Sequence, residues 1–355
     1  MILSKIIEKF PPLSGKSFNL GDNMIKASLI LPTYKRPEET KKCLDLISKS
    51  RGLNEKFFLE VVVIDSSPNK KTWASIKSFV ADFDLRYIHL KQQTLPGAAR
   101  NIAIKKAKHE LIISVDSDIE VKPETILQMI QYLKDNPSVA KMTGTSIFSS
   151  GQHKGQADRP TKWDRMQKKG KTLYIEGIYG RYEAFYRTPF LKLGGYDDLF
   201  KYCGEGTDIS IRYWRAGYPL GFAKEVTAFH NSEAAGSLRR AIPDKMTHMY
   251  RSLFLIAYKC EVDSIEFSPN FLASHAERRD AYGEATELHS IISSARSIEW
   301  FSQNIKQIKQ SKRDNPKAYD FKPFDVFSKQ TLFADCVEKA ETRLSKYYKE
   351  VFGAS

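Results

Sequence analysis

Apolar residues in the first part of this chain arrive in short bursts that alternate with amphipathic stretches. Residues 27–31 form a brief apolar run closed by Pro32, and residues 59–64 form a continuous run rich in β-branched side chains. A third such run lies at 111–115, and 85–90, which carries Arg86 and His89, reads as a further strand. Apolar runs of this length, without polar alternation, predict strands buried on both faces. Between them, 37–50, 71–81, 97–107 and 123–134 read as helices, the first and last opening on Pro37 and Pro123. Strand and helix alternating at this spacing imply βαβ units and a Rossmann-like, doubly wound, mostly parallel α/β sheet.

Beyond residue 138 the pattern loosens. It predicts a long strand over 139–148, strands near 172–178, 183–187 and 220–227, and a helix over 208–216 stopped by Gly217. Residues 150–171 read as a polar loop in which Lys154, Arg159, Lys162, Arg165, Lys168, Lys169 and Lys171 face only Asp158 and Asp164. From about 240 the chain is mainly helical, and Phe333, Val337, Ala340, Leu344, Tyr347 and Val351 share one face of the last helix. Ahead of the first strand, Ile2, Leu3, Ile6, Ile7 and Phe10 keep helical spacing until Pro11, Pro12, Gly15 and Gly21 interrupt it. Met24 leaves a second translation start open. The expected division is an N-terminal extension (1–26), an α/β domain (27–240) and a helical C-terminal region (241–355).

Composition narrows the class. With 355 residues, 41% hydrophobic and 12% aromatic, the chain can build a packed core. No stretch approaches the run of about 20 apolar residues that spans a bilayer, and the N-terminus lacks a secretory signal. Cys43, Cys203, Cys260 and Cys336 form no CxxC pair, so neither a zinc site nor a disulfide framework is expected. A cytoplasmic location follows as the expectation. The amphipathic stripes at 2–10 and 333–352 leave open peripheral contact with an anionic membrane at the inner face of the cell membrane.

The net charge of +14 is unevenly placed. From residue 241 onward 17 Lys/Arg meet 16 Asp/Glu, whereas the first 240 residues carry 39 against 26, an excess of 13. A basic excess confined to one domain points to an anionic ligand there. Nucleic acid is not the expected partner, because zinc-finger spacing, an RNP-type aromatic motif and a basic helix are all lacking.

In a doubly wound sheet, ligands bind outside the C-terminal ends of the parallel strands. Three strand ends here carry polar residues: Pro32-Thr33-Tyr34-Lys35-Arg36, Asp65-Ser66-Ser67, and Asp116-Ser117-Asp118. Singly, each reads as a cap or turn; together on one edge they read as a site. On an extended segment alternate side chains project the same way, so both carboxylates of 116–118 are expected to point into the crevice. Paired carboxylates suit Mg²⁺ or Mn²⁺ shared with a diphosphate.

These motifs, in this order, resemble glycosyltransferase family 2, the inverting, nucleotide-sugar-dependent enzymes of the GT-A fold. The resemblance runs from about 27 to 230. Residues 32–36 resemble the family's nucleotide loop, 61–67 its second strand with Asp65, and Gly97-Ala98-Ala99-Arg100-Asn101 its glycine-led helix start. Asp116-Ser117-Asp118 matches the D-x-D, Gly194-Gly195-Tyr196-Asp197-Asp198 the Gly-Gly-Phe-Asp-Glu segment, and Gly204 to Asp208 with Arg212 the Glu-Asp-x-Asp block. The resemblance implies a nucleotide-sugar site built from Pro32, Thr33, Tyr34, Arg36, Asp65, Arg100, Asp116 and Ser117. It implies a metal, Mn²⁺ or Mg²⁺, on Asp118, Asp116 and His230.

One departure bears on catalysis. Gly206 stands where the family's usual base has its carboxylate, which leaves Glu205 and, second, Asp208 as the general base. Asp208 is equally suited to a helix N-terminus, and Glu205 to an ion pair. The implied function is an inverting transfer of a sugar from a nucleotide diphosphate, most often a UDP-sugar, to an acceptor hydroxyl in polysaccharide or glycolipid assembly. The acceptor is a glycan, lipid-linked or free. Gly206 keeps open a non-catalytic sugar-nucleotide-binding member as the alternative, and a basic nucleic-acid-binding protein stands behind it. Trp163, Tyr179, Tyr182 and Tyr186 are candidates for sugar stacking or for core.

Overall fold

The computed structural model describes residues 24–50, 57–159, 166–201, 203–233, 245–260 and 287–314. The stripe at 2–10, Trp163 with its basic neighbours 162 and 165, and the amphipathic face at 333–351 lie outside the described residues.

The first half follows the expected alternation: β1 (Ile25–Thr33), α1 (Pro37–Ser48), β2 (Phe57–Asp65), α2 (Lys71–Ile76), β3 (Asp84–His89), α3 (Pro96–Lys106) and β4 (Leu111–Val115). β1, β2 and β4 are buried almost throughout, as their unbroken apolar runs require. β3, β2, β1 and β4 lie side by side in that order and all parallel. The register sets Thr33 beside Asp65, so the first two polar strand ends are neighbours.

The sheet then becomes mixed. It continues through β5 (Ile119–Val121), α4 (Thr125–Asp135), β6 (Lys141–Phe148), β7 (Ala157–Arg159), β8 (Met166–Lys169), β9 (Thr172–Ile175), β10 (Tyr182–Tyr186), α5 (Arg187–Lys192), α6 (Glu205–Arg215) and β11 (Leu220–His230). The spatial order runs β3-β2-β1-β4-β10-β6-β11-β9-β8, with β5 on β11 and β7 on β6. β10 is antiparallel to both β4 and β6. The basic stretch at 150–171 is only partly a loop, because its residues also build β7 and the antiparallel β8–β9 pair. Tyr182 and Tyr186 are buried core, not stacking platforms.

The described residues form two compact units. The sheet unit comprises the residues up to 198 together with 205–233. The other contains 199–204 and three helices, α7 (Lys245–Cys260), α8 (Glu287–Gln303) and α9 (Ile305–Asp314). Within it Leu199, Phe200, Leu255 and Ile308 form a small core, and the buried Lys259 ammonium donates to Ser311 Oγ at 3.0 Å. Among the described residues no helix is long and apolar enough to cross a membrane.

Candidate active site

The site begins where β1, β2 and β4 end. After Thr33 the chain turns sharply: Lys35 takes a left-handed φ of 54°, and its N–H donates to Ser67 Oγ at 2.7 Å. The turn joins the loop after β1 to the loop after β2. Thr33 itself shares a 2.7 Å hydrogen bond with Thr40 on α1. Asp65 is fully buried. Its Oδ1 accepts from the Ser67 N–H at 2.8 Å and the Ser67 hydroxyl at 2.5 Å, and its Oδ2 accepts from Tyr87 at 2.7 Å. Tyr87 stacks on the partly exposed Trp73, with ring centres 5.0 Å apart. An aromatic patch thus borders the buried carboxylate.

At the end of β4 the structure departs from the extended geometry expected of Asp116-Ser117-Asp118. The Ile119 N–H closes a turn on the Asp116 carbonyl at 2.9 Å, so strand alternation does not aim the two carboxylates. Each is instead held by its own guanidinium. Arg100, on the first turns of α3 and buried, pairs with Asp116 Oδ1 and donates to the Gly180 carbonyl at 3.1 Å. Arg36 sits 2.9 Å from Asp118 Oδ2 and 3.3 Å from the Ser117 hydroxyl. Burial opposes ionisation of Asp118, but the His230 ring and the Arg36 charge outweigh it and hold the carboxyl well below the usual carboxylate range.

His230 closes the far side. Its Nε2 is 3.7 Å from Asp118 Oδ2, beyond a good hydrogen bond, while Nδ1 is 3.0 Å from Asp158 Oδ2. Where Nε2 carries the proton, it points at the Asp118 carboxylate and holds it ionised; in the tautomer whose Nδ1–H donates to Asp158, an Nε2 lone pair is available on the Asp118 side. Metal-binding histidines are commonly oriented this way, through a carboxylate behind the ring. Two lone-pair donors facing each other across 3.7 Å suit a hard divalent cation, and oxygens from phosphate and water would complete its shell. Among the described residues no three His, Cys, Asp or Glu side chains gather into a full ligand cluster. Asp158, which also meets Arg181, reads in sequence only as one of two acids in a basic stretch. Nothing local reveals that β7 brings it to His230.

The remaining predicted site residues lie on α6. Glu205 opens that helix and is buried. A Cβ added to Gly97 would lie 3.7 Å from Glu205 Cγ and 3.3 Å from Tyr196 Cβ, so the bare Gly97 lets the start of α3 sit against the start of α6. Gly206 has a packing reason. A Cβ there would meet the Tyr179 Cα at 2.8 Å and the Ile178 carbonyl at 2.9 Å, both backbone. Asp208 is fully buried and accepts from Arg212 Nε at 3.0 Å and Nη2 at 2.5 Å. Arg212 in turn donates to the Gly195 carbonyl at 2.7 Å. Asp208 therefore sits in a buried ion pair that fastens α6 to the Gly194-Gly195 turn.

Asn101 fastens the same turn from α3, donating to the Tyr196 carbonyl at 2.7 Å and accepting from the Tyr196 N–H at 2.9 Å. The Tyr196 ring lies 5.8 Å from the Arg100 guanidinium, and its hydroxyl donates to Glu183 at 2.5 Å. Glu183 completes a fully buried pair with Lys141 at 3.0 Å. Burial pulls the Lys141 ammonium below its ordinary pKa, against the pull of Glu183. A polar chain from Lys141 to Asp116 thus runs beneath the site, and the sequence reading did not anticipate it.

Comparison with known proteins groups this chain with glycosyltransferases. The model described as "Glycosyl transferase family 2" matches residues 28–194. The chain is 28% identical over 127 residues to the poly(ribitol-phosphate) beta-N-acetylglucosaminyltransferase TarS of Staphylococcus aureus, covering 35% of this chain and 22% of that protein. It is 25% identical over 117 residues to the dolichol-phosphate mannosyltransferase of Pyrococcus furiosus, covering 33% and 32%. The chain therefore spans about a fifth to a third of these relatives' own length. Among solved structures, GalNAc-T7 with UDP, GalNAc and Mn²⁺ superposes with a TM-score of 0.56 at 18% identity, over 81% of this chain and 58% of that one. The S. aureus TarS structure superposes with a TM-score of 0.51 at 17% identity, over 73% and 44%. Both neighbours share the GT-A fold, and the likeness places this sheet unit in the same fold class.

Proposed function

The chain belongs to glycosyl transferase family 2 through residues 28–194, and from that premise we propose that it transfers a sugar, with inversion, from a nucleotide diphosphate to an acceptor hydroxyl. The single observation that carries this reading is the assembly of Asp65, Asp116 and Asp118 at adjoining strand ends, with His230 facing Asp118 at 3.7 Å. The donor is a UDP-sugar, in keeping with the UDP named in one structural neighbour. The nucleoside lies over Thr33, Tyr34 and Asp65 beside the Trp73–Tyr87 stack, with Pro32 fixing the loop and Asp116 at the ribose. Arg36 and Ser117 meet the diphosphate. Asp118 and His230 would hold Mn²⁺ or Mg²⁺, which would supply positive charge against the leaving diphosphate.

Glu205 is the general base. It takes the proton from the acceptor hydroxyl, whose oxygen attacks the anomeric carbon from the face opposite the diphosphate, and the diphosphate leaves with the bonding pair. Asp208, fixed by Arg212, holds α6 in place as a positioning residue. The acceptor is a glycan or other polyhydroxyl polymer. The basic excess of the first 240 residues and the poly(ribitol-phosphate) named for one relative favour a phosphate-bearing chain. The same charge leaves room for a lipid-linked acceptor reached from an anionic membrane surface.

A thermal-shift series with nucleotide sugars, with and without Mn²⁺, tests the donor. A ligand at 100 times its dissociation constant adds about 2.7 kcal/mol of apparent stability. If no nucleotide diphosphate raises the melting temperature in the presence of Mn²⁺, the donor assignment is wrong. Glu205→Gln tests the base: we expect turnover to fall by about 10²–10⁴-fold with nucleotide binding retained.

A further inference from the structure

The strand-end carboxylate best placed for a divalent cation is already paired. Arg36 Nη1 lies 2.9 Å from Asp118 Oδ2, and Oδ2 is also the atom that faces His230 Nε2. A guanidinium cannot shed its proton in a protein, so it cannot make way for a cation by becoming neutral. Nor does water readily take it, since the Arg36 side chain is only 9% exposed. Its position is built rather than accidental. The left-handed turn at Lys35 is pinned by Ser67. The Arg36 carbonyl accepts from the Thr40 N–H at 3.0 Å and the Thr40 hydroxyl at 2.5 Å, and its Nη1 also reaches Ser117.

We propose that Arg36 is a built-in counter-ion that occupies the cation's place on Asp118 until a nucleotide diphosphate arrives. The inference rests on the donor reading given above. Two positive charges on one carboxylate oxygen repel, so a divalent cation binding alone must displace the guanidinium and forfeit its pairing with Asp118. A diphosphate removes that cost: its oxygens take the guanidinium by paired hydrogen bonds and also supply ligands to the cation. Donor and metal then bind as a cooperative pair, and the nucleotide-free protein holds metal poorly. By linkage the coupling is reciprocal, so metal raises nucleotide affinity by the same factor as nucleotide raises metal affinity.

The test is equilibrium binding of Mn²⁺ by calorimetry or by the electron-spin resonance of free Mn²⁺, on the full chain, with and without UDP. In the native protein Mn²⁺ alone should bind weakly and UDP should tighten it. In Arg36→Gln, nucleotide-free Mn²⁺ affinity should rise about tenfold, and the UDP–Mn²⁺ coupling should shrink by the same factor, leaving the share that phosphate ligation supplies. Asp118→Asn should abolish the gain in the Arg36→Gln background, which shows that Mn²⁺ is at this carboxylate. Arg36→Lys keeps the charge and should retain most of the block, which separates charge from folding defects. If Arg36→Gln is folded, binds UDP with Mn²⁺, and takes nucleotide-free Mn²⁺ no better than the native protein, the inference is overturned while the donor reading stands. If neither protein binds any nucleotide diphosphate with Mn²⁺, the donor reading itself has failed and this one with it.

Discussion

At the scale of single residues, Gly206 shows how packing can override a family pattern. A Cβ in its place would press into the backbone at Tyr179 and Ile178, so this packing takes a bare glycine, and Glu205 beside it is the acid that remains at the start of the helix. Backbone cannot move aside as a flexible side chain does. Gly206→Ala should therefore destabilise the protein by about 1–3 kcal/mol, read as a shift in the urea midpoint. An unchanged midpoint would mean that the loop at 178–179 yields freely. From sequence Glu205 stands first and Asp208 second as the base; the fold puts Asp208 in a buried pair with Arg212.

At the scale of elements, the site depends on segments that reach it from far along the chain. Strand β7 carries Asp158 to His230, a separation of 72 residues. If Asp158 fixes the imidazole so that Nε2 faces Asp118, Asp158→Asn should weaken UDP-dependent Mn²⁺ binding by about 10–100-fold, the usual cost of losing such support. Full Mn²⁺ affinity in this variant would deny Asp158 that role. Strands β6 and β10 bring Lys141 and Glu183 together out of water. Removing either partner leaves a buried charge alone, so Glu183→Gln should cost about 3–5 kcal/mol, whereas replacing both by apolar residues of similar volume should be close to neutral. Equal costs for the single and double changes would count against the pair.

For the molecule as a whole, the carboxylates set the response to acid. Asp118 is held low as described. Glu60 is also held low: burial opposes ionisation, and hydrogen bonds from Ser28 at 2.6 Å, the Lys108 N–H at 3.0 Å and Arg86 overcome it. A carboxyl whose folded pKa lies below its unfolded value contributes stability that is complete above that unfolded value, about 4, and is lost as pH falls through the folded one. Urea midpoints should therefore be flat near neutral pH and fall steeply below about pH 4. Glu60→Gln should flatten that fall by removing one of the groups whose protonation unfolding favours. An acid limb of unchanged slope would show that Glu60 titrates alike in both states.

How much of this was legible beforehand follows from the range of the interactions. The alternation of strand and helix patterns determined the parallel half of the sheet, because burial on both faces is written into the residues of β1, β2 and β4. The three polar strand ends were legible for the same reason, since chain direction in a βαβ unit fixes which end of a strand opens outward. The turn at 116–119, the guanidinium on each carboxylate, Asp158 behind His230 and the backbone against Gly206 were decided only when distant segments closed on one another. Their energies depend on atoms brought together by the fold, and no local pattern of side chains carries that information.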